Sequence, residues 1–166
     1  MKKIKFFIYI FLFTFIGCSY SLFQNAYPHI KNIQISSFEN NTSEYVIAQD
    51  FQDYLVGKFQ SDGRLKITTI EPDSFVEGSI LDYKHEILSY DNYGNILEYK
   101  VSILFSLQMT DIRMQNIIFE NKALLLSEAY SPNDDNPDVL TTENQAQEMI
   151  FEKAFNTIIR NTLESW

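Results

Sequence analysis

Cysteine is nearly absent from the 166-residue sequence: Cys18 is the only one, so an internal disulfide is excluded. Histidine is also scarce, since the chain has two, His29 and His85, and neither lies in a metal-binding spacing with the cysteine. A phosphate-binding glycine loop and a Gly-x-Ser-x-Gly nucleophile elbow are missing as well. We therefore predict that the protein is not an enzyme and has no catalytic residue, no metal site and no bound cofactor.

Basic residues are few. The chain has 13 Lys and Arg against 22 Asp and Glu, and three of the basic ones lie within the first five positions. Binding of nucleic acid depends on clustered Lys and Arg, which displace condensed counterions, so we expect no nucleic-acid partner. The same deficit argues against broad electrostatic adhesion of the surface to anionic lipid.

The chain has no apolar run long enough to span a bilayer, but a shorter one follows the lysines at its start. Residues 6–16 are apolar except for Thr14. A membrane-spanning helix needs about 20 such residues. A run of 11 residues behind a basic start is typical of a secretory signal. We predict that residues 1–17 are an export signal.

The end of this signal, Phe15-Ile16-Gly17-Cys18, resembles a bacterial lipobox, with Phe15 where Leu is usual. In such signals the chain is cut before the cysteine, which then carries diacylglycerol on its thiol and an acyl chain on its new amino group. Cys18 is therefore the predicted lipidation site. Two or three acyl chains hold a protein stably on a bilayer, whereas one holds it only marginally. The predicted organisation is a signal peptide (1–17), a lipid-anchored tether (18–28) and a single domain (29–166).

Apolar spacing predicts two helices. The first runs from the polar cluster at 40–43 to about Gln60, because apolar residues recur every four positions along it: Ile47, Phe51, Leu55 and Phe59. The second begins at Thr142, which with Gln145 is typical of a capping box, and runs toward Trp166.

Alternation of apolar and polar residues predicts strands at 30–38, 64–70, 75–90, 97–109 and 117–127. The longest alternation puts seven apolar residues on one face: Leu97, Tyr99, Val101, Ile103, Phe105, Leu107 and Met109. In the preceding strand, the apolar residues of shared parity are Phe75, Leu81, Tyr83 and Ile87. The order β-α-β-β-β-β-α predicts an α+β fold, in which two helices pack on one face of a mixed, mostly antiparallel sheet of four to five strands.

One acidic loop has a spacing that begins a calcium site. Asp134, Asn136 and Asp138 alternate, but the pattern then requires Gly and Glu where this chain has Val139 and Gln145. We interpret residues 131–138 as a polar loop.

Short motifs follow one another in a fixed order along the mature chain. They are Tyr20 and Phe23 after the lipobox, Pro28-x-Ile30, Phe38-x-Asn40-x-Thr42, Gly78-Ser79-Ile80 with Tyr83, Glu98-Tyr99, and Asp111. In their order and spacing these motifs resemble the LptE family, the outer-membrane lipoproteins of lipopolysaccharide assembly.

The resemblance implies a fold, a place and a partner. LptE-like proteins are α+β domains anchored to the outer membrane and facing the periplasm. They act as a plug inside the β-barrel LptD, helping it to assemble and to deliver lipopolysaccharide to the cell surface. Ser19, rather than Asp, follows the cysteine, which resembles a signal compatible with outer-membrane sorting.

An interface with such a barrel would account for two features of the sequence. The last helix has an apolar set wider than the roughly 100° that packing on one sheet requires, and aromatic residues are enriched at interfaces. The predicted partner-binding residues are Phe151, Phe155, Ile159, Tyr90 and Tyr93. A wide apolar helix is equally expected of a core beneath a curved sheet, so both interpretations stay open.

Direct binding of lipopolysaccharide is a weaker expectation. In the family, basic residues near the tip of the sheet contact this anionic lipid, whereas the predicted hairpin turn at 91–95 has no Lys or Arg. A structural role in the barrel is therefore favoured. The alternatives are a periplasmic lipoprotein adaptor of another envelope transport complex and a carrier of a small ligand in an apolar pocket.

The lipid anchor can be tested directly. The Cys18→Ala substitution removes the only thiol, so we expect palmitate labelling to be lost and the protein to leave the membrane fraction or to retain its signal. Unchanged labelling and fractionation in cells that express the variant would contradict the assignment of the anchor.

Overall fold

A computed structural model describes residues 27–164. The predicted signal, Cys18 and nearly all of the tether at 18–28 lie outside the described residues. The elements in chain order are β1 (Asn32–Ile35), β2 (Glu39–Asn40), α1 (Ile47–Asp62), β3 (Lys66–Ile67), β4 (Ser74–Tyr90), β5 (Ile96–Asp111), β6 (Asn116–Tyr130) and α2 (Glu143–Thr162).

The six strands form one mixed sheet in the order β3-β1-β4-β5-β6, with the short β2 beside β4. β1 is parallel to β3 and β4, and β2 is also parallel to β4. β4, β5 and β6 form an antiparallel meander. The predicted α+β fold is therefore confirmed. The sheet has six strands where four to five were predicted, because the short β2 follows the predicted first strand at 30–38 and was not recognised as a strand.

The core lies between the helices and one face of the sheet. Five of the seven alternating residues of β5, from Val101 to Met109, are at most 1% exposed. Burial does not extend to the start of the strand, since Leu97 is 49% exposed and Tyr99 is only partly buried. Alternation marks the inner face of the strand, but at this end of the sheet the core stops where α2 begins, and the start of β5 lies beyond that point.

Helix α1 buries the predicted stripe completely, since Ile47, Phe51, Leu55 and Phe59 are all at most 2% exposed. Gly63 ends the helix in the left-handed conformation, with φ of 73°, and its amide donates to the Phe59 carbonyl. The predicted cap cluster is displaced, because the N-cap is Val46 and no side chain caps the helix. Asn40 instead accepts hydrogen bonds from Thr42 and so folds the connection between β2 and α1.

Helix α2 begins at the predicted capping box. The Gln145 amide donates to the Thr142 hydroxyl oxygen at 3.3 Å, and the Thr142 amide donates to the Gln145 side-chain oxygen at 3.2 Å. The width of its apolar set has a structural cause, since α2 packs against both the sheet and α1. Phe151 lies 5.1 Å from Phe51 between ring centroids.

Strand β4 changes its inward parity partway along. Val76 and Ile80 are fully buried, but the register with β5 shifts between Ile80 and Asp82, and beyond this bulge Tyr83 and Ile87 take the inner face. The predicted parity is therefore correct only after Leu81, because a bulge inserts one residue that periodicity alone does not reveal. A Cβ atom at Gly78 would collide with the Ser106 carbonyl oxygen, so the close approach of β4 and β5 at this point requires glycine.

One end of the sheet collects the chain start, the end of both helices and two loops. Across this end, neighbouring strands are paired through Lys66 with Asn32, Ser74 with Asp111, and Asp111 with Asn116, and β1 joins β4 beside Ser74. We call this end the base and define it as residues 27–32, 62–66, 70–74, 111–117 and 160–164. The opposite end of the β4–β5 hairpin, residues 86–98, is the tip.

Two carboxylates hold the base together. Asp73 accepts the backbone amides of Lys31 and Asn32 at 3.0 and 2.9 Å, and the guanidinium of Arg113 at 3.0 Å. These groups favour the ionised form, so the pKa of Asp73 lies below its ordinary value, chiefly because of the Lys31 amide.

The second carboxylate, Asp111, is fully buried at the end of β5. Burial acts to raise its pKa, but hydrogen bonds from the Met114 amide and the His29 ring outweigh burial, and the pKa is lowered. His29, at the boundary of the predicted tether, is thus fixed to the domain, which begins in contact with the sheet.

Acid should loosen the base. A carboxylate with a depressed pKa stabilises the fold above its unfolded pKa of about 4 and loses that contribution as the pH falls through the folded value. We expect Asp73→Asn to lower the free energy of unfolding at neutral pH by about 2 kcal/mol, and to flatten its decline below about pH 4. Urea unfolding across this pH range measures both effects, and an acid slope equal to that of the parent would contradict the role of Asp73.

Candidate partner-binding surface at the hairpin tip

The tip lies outside the rest of the sheet. β2 pairs with β4 only as far as Ile80, and β6 ends at Tyr130, which lies opposite Tyr99. Beyond these points β4 and β5 have only each other as partners, and they stay paired up to Tyr90 and Ile96. The tip is therefore a two-stranded hairpin that projects from the folded body.

A network of rings and one carboxylate holds the hairpin against the start of α2. The Tyr130 hydroxyl is hydrogen-bonded to His85 Nε2 at 2.8 Å, and the Tyr99 and Tyr130 rings are stacked with centroids 5.3 Å apart. Glu143, the first residue of α2, accepts a hydrogen bond from the Tyr83 hydroxyl and lies 3.5 Å from His85 Nδ1. We call these five residues the waist network.

The waist network favours a neutral tyrosine. Burial, with the Glu143 carboxylate next in importance, raises the pKa of Tyr83 well above its ordinary value. Gln147, one turn along α2, donates to the same hydroxyl oxygen at 2.8 Å. Tyr83 thus stays protonated and can donate to Glu143, which fixes the angle between helix and hairpin.

The turn at the end of the hairpin is organised by Asp91. Its carboxylate accepts the amides of Tyr93 and Asn95, both at 2.8 Å, and the side-chain amide of Asn95 at 2.7 Å. These bonds, led by that of the Asn95 side chain, lower the pKa of Asp91. Gly94 has φ of 87°, which suits glycine at this point of a tight turn. The predicted hairpin turn is confirmed, and it is held by its own hydrogen bonds.

Large apolar side chains lie exposed on this supported hairpin. Five residues of the tip are between 43% and 92% exposed: Ile87, Leu88, Tyr90, Tyr93 and Leu97. An exposed apolar group of this kind is typical of a surface that meets a partner. Tyrosines are especially suited to such a role, because each offers a large contact area and a polar end.

The charge around the tip is negative. Residues 86–98 include Glu86, Asp91 and Glu98 but no Lys or Arg, and Lys100, just outside the tip, lies 3.5 Å from Glu86. The loop after β6 adds further carboxylates beside the hairpin. The two segments together line a cleft of about 370 Å³, through residues that include Leu97, Glu98, Asp134 and Asp135.

The predicted partner-binding residues fall into two groups. Tyr90 and Tyr93 are 58% and 92% exposed at the tip. Phe151, Phe155 and Ile159 are at most 6% exposed, in the core between α2, α1 and the sheet. Of the two interpretations of the wide helix, the structure therefore favours the core. These three residues position α2, and of the five predicted residues only Tyr90 and Tyr93 are exposed to a partner.

Small-ligand binding has little support in the described residues. A second cleft, of about 310 Å³ between the helices, is lined mostly by polar groups that include Asp50, Asp53 and Glu148. Small-molecule pockets are predominantly apolar with a few polar groups. Within residues 27–164, no cluster of three or more His, Cys, Asp or Glu side chains is arranged to hold a metal ion. Asp134 and Asn136 instead accept backbone amides two residues ahead, as expected of a polar loop.

The waist network escaped sequence analysis because its members lie far apart in the chain. Tyr83 and Glu143 are 60 positions apart, and Tyr130 and His85 are 45 apart. The one available signal was the inward parity of Tyr83 and Tyr99, which places both on the helix side of the sheet.

None of the helices described between residues 27 and 164 is both long and apolar enough to cross a bilayer.

Solved structures share this fold at low sequence identity. The hypothetical protein CT253 from Chlamydia trachomatis superimposes with a TM-score of 0.52 and 12% identity, over 78% of this chain and 94% of that one. PelC from Paraburkholderia phytofirmans, a dodecamer, superimposes with a TM-score of 0.50 and 8% identity, over 80% of this chain and 89% of its own. These likenesses concern the fold alone.

Sequence comparison adds the family. Among curated proteins, none matches the chain. The family model described as LptE, lipopolysaccharide-assembly, matches residues 30–163 and thus nearly all of the described fold. Since this match spans β1 to the end of α2, the chain belongs to the LptE lipopolysaccharide-assembly family.

Proposed function

We propose that the protein is an outer-membrane lipoprotein, anchored through acylated Cys18 and facing the periplasm. In this role it is the plug and assembly partner of an LptD-like β-barrel that exports lipopolysaccharide to the cell surface. Membership of the LptE family supports the process. The lipid anchor at Cys18, the outer-membrane location and the partnership with an LptD-like barrel are the parts that we propose beyond family membership.

The observation that carries the proposal is the tip. Exposed apolar side chains, led by Tyr90 and Tyr93, lie on a hairpin that is held by the Asp91 turn and the waist network. A contact surface that is already rigid loses little conformational entropy on binding, so more of its contact energy is available for affinity. A projecting hairpin of this kind is suited to entering a concave partner, such as the interior of a barrel.

The charge of the tip argues for a structural role in the barrel. Anionic lipid is bound by clustered Lys and Arg, which pair with its phosphates, and residues 86–98 contain neither. Contact of the tip with lipopolysaccharide would bring like charges together. We therefore propose that the barrel wall, and not the lipid, is the occupant of this surface.

Depletion of the protein tests the role in assembly. We expect the barrel to be misassembled, surface lipopolysaccharide to fall, and large hydrophobic antibiotics to enter the cells more readily.

Complementation of the depleted cells with variants then locates the contact. Tyr90→Ser combined with Tyr93→Ser should fail to restore barrel assembly, because loss of a central aromatic contact typically costs about 2 kcal/mol or more of binding free energy.

The matched control is Asn92→Glu, which changes the same turn but removes no apolar contact. We expect this variant to complement like the parent chain. Normal barrel folding and normal surface lipopolysaccharide after depletion would overturn the assembly role and favour the adaptor alternative. Full complementation by the double tyrosine variant would overturn the tip as the contact.

A further inference from the structure

We infer that the base of the sheet is a second contact surface, which lies against the phospholipid bilayer. This inference goes beyond the barrel contact, and it rests on one part of the proposed function, the acylation of Cys18. It follows from the apolar residues exposed at the base, the entry point of the chain and the distribution of charge.

The base exposes large apolar side chains of its own. Ile70, in the loop that enters β4, is 79% exposed, and Met114, in the turn between β5 and β6, is 66% exposed. Ile112 and Ile117 flank Met114 and are 40% and 52% exposed. They contribute nothing to the core, and an apolar group of this kind is typical of a protein or membrane contact.

The described chain starts at this same end. Tyr27 and His29 precede β1, and His29 is bound to Asp111 beside the turn that contains Met114. Tyr27 lies nine positions after Cys18. Since an extended chain spans at most about 3.6 Å per residue, the anchored lipid lies within roughly 30 Å of the base. This reach is shorter than the length of β4, whose 17 residues rise about 3.3 Å each. The tether therefore favours the base, and not the tip, as the end nearest the bilayer.

Charge distinguishes the base from the rest of the domain. The base contains five basic and five acidic residues, so its formal charge is balanced: Lys31, Arg64, Lys66, Arg113 and Arg160 against Asp62, Glu71, Asp73, Asp111 and Glu164. The whole excess of acidic residues in the mature chain therefore lies elsewhere. An anionic bilayer repels the acidic remainder of the domain but has no net charge repulsion with the base.

Two cations of the base are available to lipid. Lys31 immediately precedes β1 and Lys66 begins the neighbouring β3, and the Lys66 amide donates to the Lys31 carbonyl at 2.8 Å. Both side chains are exposed, and neither forms an ion pair with any of residues 27–164. Lysines near an anionic bilayer are attracted to its headgroup phosphates. Ile70 and Met114 belong to the same end of the sheet, so the base presents both apolar and basic side chains, which matches the chemistry of a lipid headgroup region.

The test uses the acylated full-length lipoprotein, reconstituted without any barrel into vesicles of phosphatidylcholine and phosphatidylglycerol. Because Cys18 is blocked by lipid and is the only cysteine, each substituted cysteine carries the sole fluorescent label. We compare Ile70→Cys and Met114→Cys at the base with Tyr93→Cys at the tip. Leu125→Cys on β6 is the matched control, since Leu125 is 63% exposed and Met114 is 66% exposed.

We expect labels at positions 70 and 114 to shift to blue emission and to be quenched by brominated acyl chains. Labels at 93 and 125 should behave as in water. If the base labels are no more quenched than the label at 125, the inference is overturned. Equal quenching at all four positions overturns it as well, since the domain would then lie on the bilayer without a preferred end.

A charge-reversal arm tests the lysines. Lys31→Glu combined with Lys66→Glu should reduce quenching of the label at 114 when phosphatidylglycerol is present, and raised salt should do the same. The matched control reverses two exposed lysines outside the base, Lys84→Glu with Lys122→Glu, and should have no effect. Unchanged quenching in the first pair would overturn the role of Lys31 and Lys66.

The outcome is separable from that of the proposed function. These vesicles contain no barrel, so a depletion experiment that fails overturns the plug role and leaves the base contact standing. Absence of palmitate from Cys18 overturns both the anchor and this inference, because the base then has no tether to hold it at the bilayer.

Discussion

The long antiparallel pairing of β4 with β5 is the constraint on which the other elements depend. It runs from the pair Ser74 and Asp111 at the base to Tyr90 and Ile96 at the tip. The inner face of β5 supplies the floor of the core, and both helices bury their apolar stripes against that side of the sheet and against each other. The same two strands continue past the helices, so one pairing builds the core and also projects the tip.

The two ends of this pairing have opposite characters. At the base, the buried carboxylates Asp73 and Asp111 are satisfied by backbone amides, His29 and Arg113, and the charges balance. At the tip, exposed tyrosines and isoleucine lie among carboxylates, and residues 86–98 contribute no Lys or Arg. A domain with ends of such different chemistry is suited to contact two environments, and we propose these to be the bilayer at the base and a barrel at the tip.

Sequence periodicity predicted those features that depend on local spacing. The stripe of α1, the capping box at Thr142 and the inward alternation of β5 from Val101 to Met109 are each set by residues within one or two turns or along one strand, and each is confirmed. The predicted inward parity of β4 was wrong for the residues before Leu81, because a one-residue bulge there reverses the face of the sheet on which every preceding side chain lies.

The functional surface was only partly predictable. The width of the apolar set on α2 does not reveal which partner covers it, and Phe151, Phe155 and Ile159 proved to be core because α1 lies against them. Tyr90 and Tyr93 were within reach of sequence reasoning, since a hairpin turn with large aromatic residues has no core to bury them. The waist network depends on contacts between distant segments, which one sequence does not specify.

Crosslinking from the tip in living cells tests the central claim most directly. A photoactivatable amino acid at position 93 should crosslink to a large outer-membrane barrel, whereas the same group at Lys122, an exposed position on β6 outside both the tip and the base, should give little of that product. Mass spectrometry of the purified adduct identifies the partner. An adduct of position 93 with inner-membrane transporter subunits, or none with any barrel, would contradict the account.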